Sequence, residues 1–315
     1  MRAAGVRHIG GAVEFLELAE PRALRADEIL LDVRACGVGN WDEFVRTGGW
    51  DVGTRPPMAL GVEAAGLVAA VGTSNGRFAV GDRVAAHSAP LREQGAWAEW
   101  FIVPAAHCSV LPSDVSFEVA GALPVPALTA DQVMSDALKV AAGETVLVNG
   151  AGGVTGGLLV QLAAHRGATV IATAGQESAG RIAALGAAHV LDYHQPDWPG
   201  RVRQLAGGGV DAAANAARSG AGDAMKAVRD RGRLATITSD PPAAERGITV
   251  LEVVVAPDGA RLHELTRLAA RGVLTVSEVR PYPLERASAA MAQVRHGAHG
   301  AAIVLLTGLR DGRSR

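Results

Sequence analysis

The chain has 315 residues, 49% apolar and 20% charged, so it can bury a core and is not intrinsically disordered; no run approaches the roughly 18 apolar residues that a membrane-spanning helix needs. Thirty basic against 32 acidic side chains leave a formal charge of −2, which excludes the electrostatic footprint of a nucleic-acid binder and offers no basic face to a membrane. Two cysteines, Cys36 and Cys108, cannot build a disulfide framework, a four-thiolate zinc lobe or a CxxC redox centre, and both are expected as buried small hydrophobes. The stretch 1–8 lacks the apolar run of a secretory signal and 310–315 reads as a solvated tail, so a cytoplasmic protein is expected.

Residues 1 to about 120 carry short apolar runs broken by turn residues: 29–33, 66–71, 83–86 and 100–103, which predicts a mainly β segment. From Gly143 the period changes. Strand-like runs at 145–149, 169–174, 189–193, 211–216, 233–238 and 249–256 alternate with helical patterns, among them 157–166 and 178–185, and this alternation predicts a parallel sheet wound on both faces. A helix from Gly259 to about Arg271, a break at Pro281-Tyr282-Pro283, a helix from Leu284 and a strand at 303–306 complete the chain, and this tail is expected to pack on the first domain. The expected fold is α/β: a β-rich domain of residues 1–120 and 258–315, and a doubly wound domain of residues 121–257.

The segment 145–157 is the most informative. A buried strand runs into Gly150-Ala151-Gly152-Gly153-Val154-Thr155-Gly156, a glycine-rich turn that opens a helix, so backbone N–H groups at the helix start can hold a pyrophosphate. The next strand ends at Thr173-Ala174-Gly175 without the Asp or Glu that would accept from a ribose 2′-hydroxyl. Ser178 and Arg181, three residues apart on a helix, and Tyr193 after the third strand are donors for a 2′-phosphate, which favours NADPH over NADH, although Glu177 weakens the electrostatics. No Tyr has a Lys four residues later, since Tyr193 is followed by Asp197 and Tyr282 by Arg286; the dyad of a short-chain reductase is therefore missing.

The ordered set of segments 28–33, 37–42, 61–66, 80–84, 95–99, 122–130, the glycine-rich turn, 185–187 and 303–305 resembles the medium-chain dehydrogenase/reductase superfamily, and within it the zinc-free NADPH:quinone oxidoreductase group. The resemblance implies a GroES-like catalytic domain built from both chain ends, an inserted Rossmann domain and a cofactor in the cleft between them. Zinc-bearing relatives place Cys and His where this chain has Gly39 and Val62, neither of which can ligate a metal, so zinc-independent chemistry is expected.

By position the resemblance assigns Thr129 to the nicotinamide and Val255 to its carboxamide, Asn215, Ile237 and Thr238 to positions along the cofactor, Tyr193 to the adenosine phosphate, and Asn40, Trp41, Phe44 and Val62 to the acceptor pocket. The group's usual Asn and Tyr are replaced by Gly39 and Phe44, and its Gly-Lys pair by Gly300-Ala301, so no proton donor is identified. Asn40, Asp42 and Thr129 remain catalytic candidates; for Asp42 a turn-capping carboxylate is the competing reading. Trp41 is read equally as a wall of the acceptor slot or as packing, and Trp50 and Trp97 as packing. The expected activity is hydride transfer from NADPH to a quinone or an α,β-unsaturated carbonyl. A polyketide-type enoyl reductase and a non-catalytic NADPH-binding protein are the alternatives. A homodimer through the apolar edge 249–256 is expected.

Overall fold

In the computed structural model, which describes residues 1–74, 76–297 and 300–306, the apolar runs of the first third pair as strands because alternating side chains need a sheet face to bury. They are β1 (Arg2–Val6), β2 (Glu14–Glu17), β3 (Glu28–Val38), β4 (Met58–Ala59), β5 (Glu63–Val71), β6 (Arg83–His87), β7 (Trp100–Pro104) and β8 (Cys108–Val110). A helix absent from the sequence reading, α1 (Asn40–Thr47), follows β3, and α2 (Phe117–Gly121) and α3 (Pro124–Gln132) follow β8. The alternating part comprises β9 (Thr145–Asn149), α4 (Val154–His165), β10 (Thr169–Ala174), α5 (Gln176–Ala184), β11 (His189–Asp192), α6 (Trp198–Leu205), β12 (Val210–Asn215), α7 (Ala221–Ala227), β13 (Val228–Thr236) and β14 (Thr249–Glu252). The chain closes with α8 (Gly259–Ala270), β15 (Val279–Pro283), α9 (Ala287–Arg295) and β16 (Ala301–Leu305); the expected tail 310–315 lies outside the described residues.

The chain divides into two compact units, one of residues 1–125, 256–272 and the described residues from 276 onward, the other of 126–255 with 273–275. The first unit holds a three-stranded sheet, β2-β1-β4, and a seven-stranded sheet in which β15-β16-β3-β5-β6-β8 is the path and β7 pairs with β3. The second unit is a six-stranded parallel sheet of order β11-β10-β9-β12-β13-β14, the doubly wound arrangement that strand and helix alternation predicts. Its core gathers Leu147, Ile171, Val202, Ala213 and Leu234. Because the strand order reverses on either side of β9, the C-terminal ends of β9 and β12 form the switch point at which such sheets bind ligands. No described helix is long and apolar enough to cross a membrane.

Three expectations need correction. Pro281-Tyr282-Pro283 is part of strand β15, not a break: the strand lies at the sheet edge, where a proline's missing N–H leaves no ladder bond unmade. The strand expected over 249–256 ends at Glu252, and that over 233–238 ends at Thr236. The two stop together because Ser239 takes a left-handed φ of 54° and turns the chain out of the sheet that β14 follows. Residues 40–47 form a helix because Asp42 caps it, as described below. Cys36 and Cys108 are free and buried, and burial pushes both thiols up.

One ion pair ties the first unit together. Glu28, fully buried at the start of β3, accepts from both Arg22 guanidinium nitrogens (2.7 and 2.8 Å) and from the Arg25 N–H (2.8 Å). The Arg22 hydrogen bonds are the main cause that lowers its pKa to about 2. Glu28→Gln is expected to cost roughly 2 kcal/mol at pH 7, discounted because Arg22 remains about a third exposed. The depressed pKa means that the wild-type stability is present above about pH 4.5 and is lost as pH falls toward 2, and the variant lacks this acid limb. Urea melts at pH 7 and pH 3 test this; parallel losses in both proteins would contradict it.

Candidate functional site

The turn between β9 and α4 is shaped by glycine at three positions. Gly150 takes φ 81°, and a Cβ there would lie 2.7 Å from the Ala217 nitrogen. Gly153 is the N-cap of α4 in extended conformation, with no side chain capping the helix, and a Cβ on it would meet only the Gly150 oxygen at 3.8 Å. At Gly156 a Cβ would be 2.2 Å from that same oxygen, so only glycine lets the first turn of α4 lie against the loop. The loop is anchored to β10: Gly150 N donates to Thr173 Oγ1 (3.0 Å) and Ala151 N to the Thr173 carbonyl (3.0 Å). The result is an uncapped helix start beside room at Gly153, which suits an anionic phosphate.

Around this loop the strand ends carry a polar network that sequence reasoning found only in part. Thr173 Oγ1 donates to Asn149 Oδ1 (2.6 Å), and Asn149 Nδ2 donates to Asn215 Oδ1 (2.8 Å), across strands whose register pairs residue 149 with 215. Asn215 Nδ2 faces the Ala217 carbonyl (3.0 Å) and the hydroxyls of Thr236 (3.0 Å) and Thr238 (2.9 Å). Those two hydroxyls donate to Asp240 Oδ1 at 2.7 and 2.6 Å, and Ala221 N donates to Oδ2. Burial pushes the Asp240 carboxyl up, but the hydroxyls of Thr238 and Thr236 and the Ala221 N–H outweigh it, and the pKa is lowered. Asn149, Thr173, Thr236 and Asp240 were not singled out from sequence. The available signal was a polar residue at or near the C-terminal end of each otherwise apolar strand.

Of the residues assigned to a cofactor, Ala174 ends β10, Ser178 is buried on α5, and Ile237 N donates to the Asn215 carbonyl (3.1 Å). Arg181 Nη2 donates to the Gly152 carbonyl (2.8 Å) and lies 3.3 Å from Ser178 Oγ, so the guanidinium braces the glycine-rich loop. Tyr193, half exposed, has its ring 4.1 Å from that of His194, whose Nδ1 lies 2.7 Å from Asp192 Oδ1; a Cβ on Gly175 would lie 3.7 Å from the tyrosine ring. Thr129 is buried on α3 and Val255 is half-buried beyond β14.

The acceptor-pocket residues belong to the first unit. Asn40, Trp41, Asp42 and Phe44 stand on α1, with Asn40 and Phe44 exposed and Trp41 half-buried. Gly39, the N-cap, owes its identity to Trp41: a Cβ there would fall 2.2–2.4 Å from the indole atoms Cζ2, Cε2 and Cη2. Asp42 is fully buried, its Oδ2 accepts from Gly39 N (2.8 Å), and Asp42 N donates back to the Gly39 carbonyl (3.1 Å). Burial raises its pKa to about 7 against the opposing N–H groups of Gly39 and Gly61. Glu63, also buried, accepts from Val125 N (2.7 Å); burial first, and the Asp42 charge besides, push it well above the carboxylate range. Val62 is buried, and its carbonyl takes the Nδ1–H of His87 (3.0 Å) and Ser88 N (2.8 Å). Neither Gly39 nor Val62 has a donor atom, and the described residues contain no group of three His, Cys, Asp or Glu side chains able to hold a metal.

The family model for an alcohol dehydrogenase GroES-like domain matches residues 25–113, and one described as zinc-binding dehydrogenase matches 185–305. The quinone oxidoreductase of Lama guanicoe is 34% identical over 200 residues, 62% of this chain and 59% of that protein. A VAT-1 homolog from Danio rerio, a synaptic vesicle membrane protein by name, is matched over 38% of its length, so the chain spans well under two thirds of these curated relatives. Among solved structures, mycobacterial Rv1454c complexed with NADPH is 30% identical with a TM-score of 0.85, covering 97% of this chain and all of that one. The quinone oxidoreductase of Pseudomonas syringae pv. Tomato DC3000 is 28% identical with a TM-score of 0.87 over 96% and 99% of the two chains. The chain belongs to the medium-chain dehydrogenase/reductase superfamily and, within it, to the quinone oxidoreductase group.

Proposed function

We propose that this oxidoreductase is a zinc-independent, NADPH-dependent reductase of quinones or α,β-unsaturated carbonyls, its second unit holding the cofactor and its first unit the acceptor. The observation that carries the reading is the uncapped start of α4 over Gly153, braced by Arg181 and anchored by Thr173, which fits a dinucleotide pyrophosphate. The similar mycobacterial protein complexed with NADPH supports the phosphorylated cofactor, as does the absence of a carboxylate at Ala174 and Gly175. Ser178, Arg181 and Tyr193 are the proposed surroundings of the 2′-phosphate.

The residues do not fit zinc. Gly39 and Val62 offer no ligand atom, and the Trp41 ring fills the direction that a side chain at 39 would take, so no step involves the metal. They do fit NADPH, which when bound supplies a hydride. The backbone of 150–156 would hold its pyrophosphate, Thr129 and Val255 would lie at the nicotinamide, and Asn215, Ile237 and Thr238 along the cofactor. Asn40, Trp41, Phe44 and Val62 would position the acceptor and exclude water. None of His87, Asp42 and Glu63, the buried titratable groups around Val62, is a ready proton donor: Glu63 is sealed from solvent with Oε2 held by Val125 N. Burial lowers the His87 pKa to about 4, so the ring is neutral at physiological pH with Nδ1–H committed to Val62, and Asp42 is committed to capping α1. Solvent or the cofactor ribose is the proposed proton source.

A homodimer is proposed through 249–256, because among the described residues β14 pairs only with β13 and Val254 is 69% exposed; sedimentation as a monomer would refute it. A cytoplasmic location and a small-molecule acceptor complete the proposal. A competition of NADPH against NADH, followed by a panel of quinones, enones and an enoyl thioester, tests the whole. NADPH oxidation with a quinone or enone is expected. Reaction confined to the thioester would make the protein an enoyl reductase of the polyketide type, and tight NADPH binding without any oxidation a binding protein.

A further inference from the structure

Several buried polar atoms of the first unit lack a partner, and one of them stands on the helix assigned to the acceptor pocket. Trp41 Nε1 is buried and has no hydrogen-bond partner, although the ring that carries it is only half-buried. Two acceptors in the same unit, Asp42 Oδ1 and His87 Nε2, are likewise buried and unpartnered, and neither takes the indole proton. Both sit against the segment 61–63: Asp42 feels the Gly61 N–H, and His87 donates to the Val62 carbonyl. Buried polar atoms are rarely left unpaired without a reason, and an indole nitrogen can only donate. What satisfies it must be an acceptor atom, and an uncharged one is cheapest to bring into an apolar surround.

The ring is also held in place. Its benzo edge occupies the space in front of Gly39, so a side chain at 39 would have to displace the ring, and the start of α1 is fixed by the reciprocal bonds between Gly39 and Asp42. We propose that the Trp41 Nε1–H is the hydrogen-bond donor of this chain for the carbonyl oxygen of its acceptor, with the indole face as the adjoining wall. This rests on the reading of the protein as a carbonyl-directed reductase and deepens it. The donor takes over the task of drawing electron density toward oxygen, in a unit where Gly39 and Val62 offer no ligand atom for a metal. Donating from a fixed ring to a fixed oxygen also selects acceptors that are planar and carry a carbonyl at their edge.

Two measurements test the assignment. Trp41→Phe keeps an aromatic ring but removes the N–H together with one ring of the indole; kcat/KM for a quinone or enone is expected to fall about tenfold while the Kd for NADPH is unchanged. Independently, in the absence of NADPH, the indole Nε1–H proton resonance of Trp41, identified by its loss in Trp41→Phe, is expected to move downfield on titration with 2-cyclohexen-1-one and to stay in place with cyclohexene. A variant whose kcat/KM stays within about twofold of wild type, or a resonance unmoved by saturating cyclohexenone, overturns the proposal. If wild-type protein oxidises no NADPH with any acceptor yet the resonance moves with the ketone, the reductase reading fails and the donor assignment stands.

Discussion

Gly156→Ala is expected to weaken NADPH binding by at least about 100-fold and to destabilise the second unit by about 3 kcal/mol. The added carbon would sit 2.2 Å from the Gly150 oxygen and 2.8 Å from the Ala151 Cα, both backbone atoms, so no side-chain rotation relieves the clash. The first turn of α4 must then leave the loop, and its N–H groups lose their aim. Gly153→Ala provides the contrast. A Cβ there meets only an oxygen at 3.8 Å and the residue already has an ordinary extended conformation, so stability is expected to stay within about 0.5 kcal/mol of wild type. If the space over Gly153 receives the pyrophosphate, that variant loses cofactor affinity without losing stability. Fluorescence titration with NADPH and urea melts of both variants separate the two effects; a Gly156→Ala protein that binds as tightly as wild type would remove the basis for the loop's role.

The second large effect concerns pH. Asp42 keeps its proton to about pH 7 in the folded protein against an ordinary value of 3.8, because burial disfavours the carboxylate more than the N–H groups of Gly39 and Gly61 favour it. The folded state therefore binds the proton more tightly than the unfolded one. Its contribution to stability is fully present below about pH 3.8 and is lost as pH rises toward 7, beyond which both states are ionised. The loss amounts to about 4 kcal/mol as an order of magnitude. Glu63, raised in the same direction, adds to it. Asp42→Asn retains an acceptor for Gly39 N and cannot ionise; after about 1–2 kcal/mol for a newly buried amide N–H, it is expected to be more stable than wild type by about 2 kcal/mol at pH 8 and less stable by about 1 kcal/mol at pH 3.5. Urea unfolding at both pH values checks this crossing. Curves that shift in parallel would show that Asp42 is already ionised in the folded protein.

The same carboxylate illustrates where sequence reasoning stops. Asp42 was open to two readings, a catalytic acid or a turn cap, because a carboxylate three residues beyond a glycine is compatible with both. The structure encloses it completely and commits one oxygen to Gly39 N, a geometry of capping that also explains the helix over 40–47. Arg181 shows the reverse case. Its helical spacing from Ser178 was legible, but its bond to the Gly152 carbonyl joins residues 29 positions apart and depends on how α5 packs against the loop. Asp240 was invisible for a related reason: its importance lies in two threonine hydroxyls that only the turn at Ser239 brings to it.

The parallel architecture and the position of the glycine-rich turn follow from local periodicity and from backbone rules that act within a few residues, and for that reason both were readable from the amino-acid order alone. The missing ligand atoms at 39 and 62 were readable too, since a glycine and a valine have none wherever they are placed. Only tertiary structure decided that the indole of Trp41 lies over Gly39 with its N–H unpaired, that Asp42 and Glu63 are both sealed from solvent, and that six side chains link the ends of four strands. Each of these depends on burial and on contacts between distant segments, and desolvation, the dominant energy in all of them, has no value until the surrounding chain has folded.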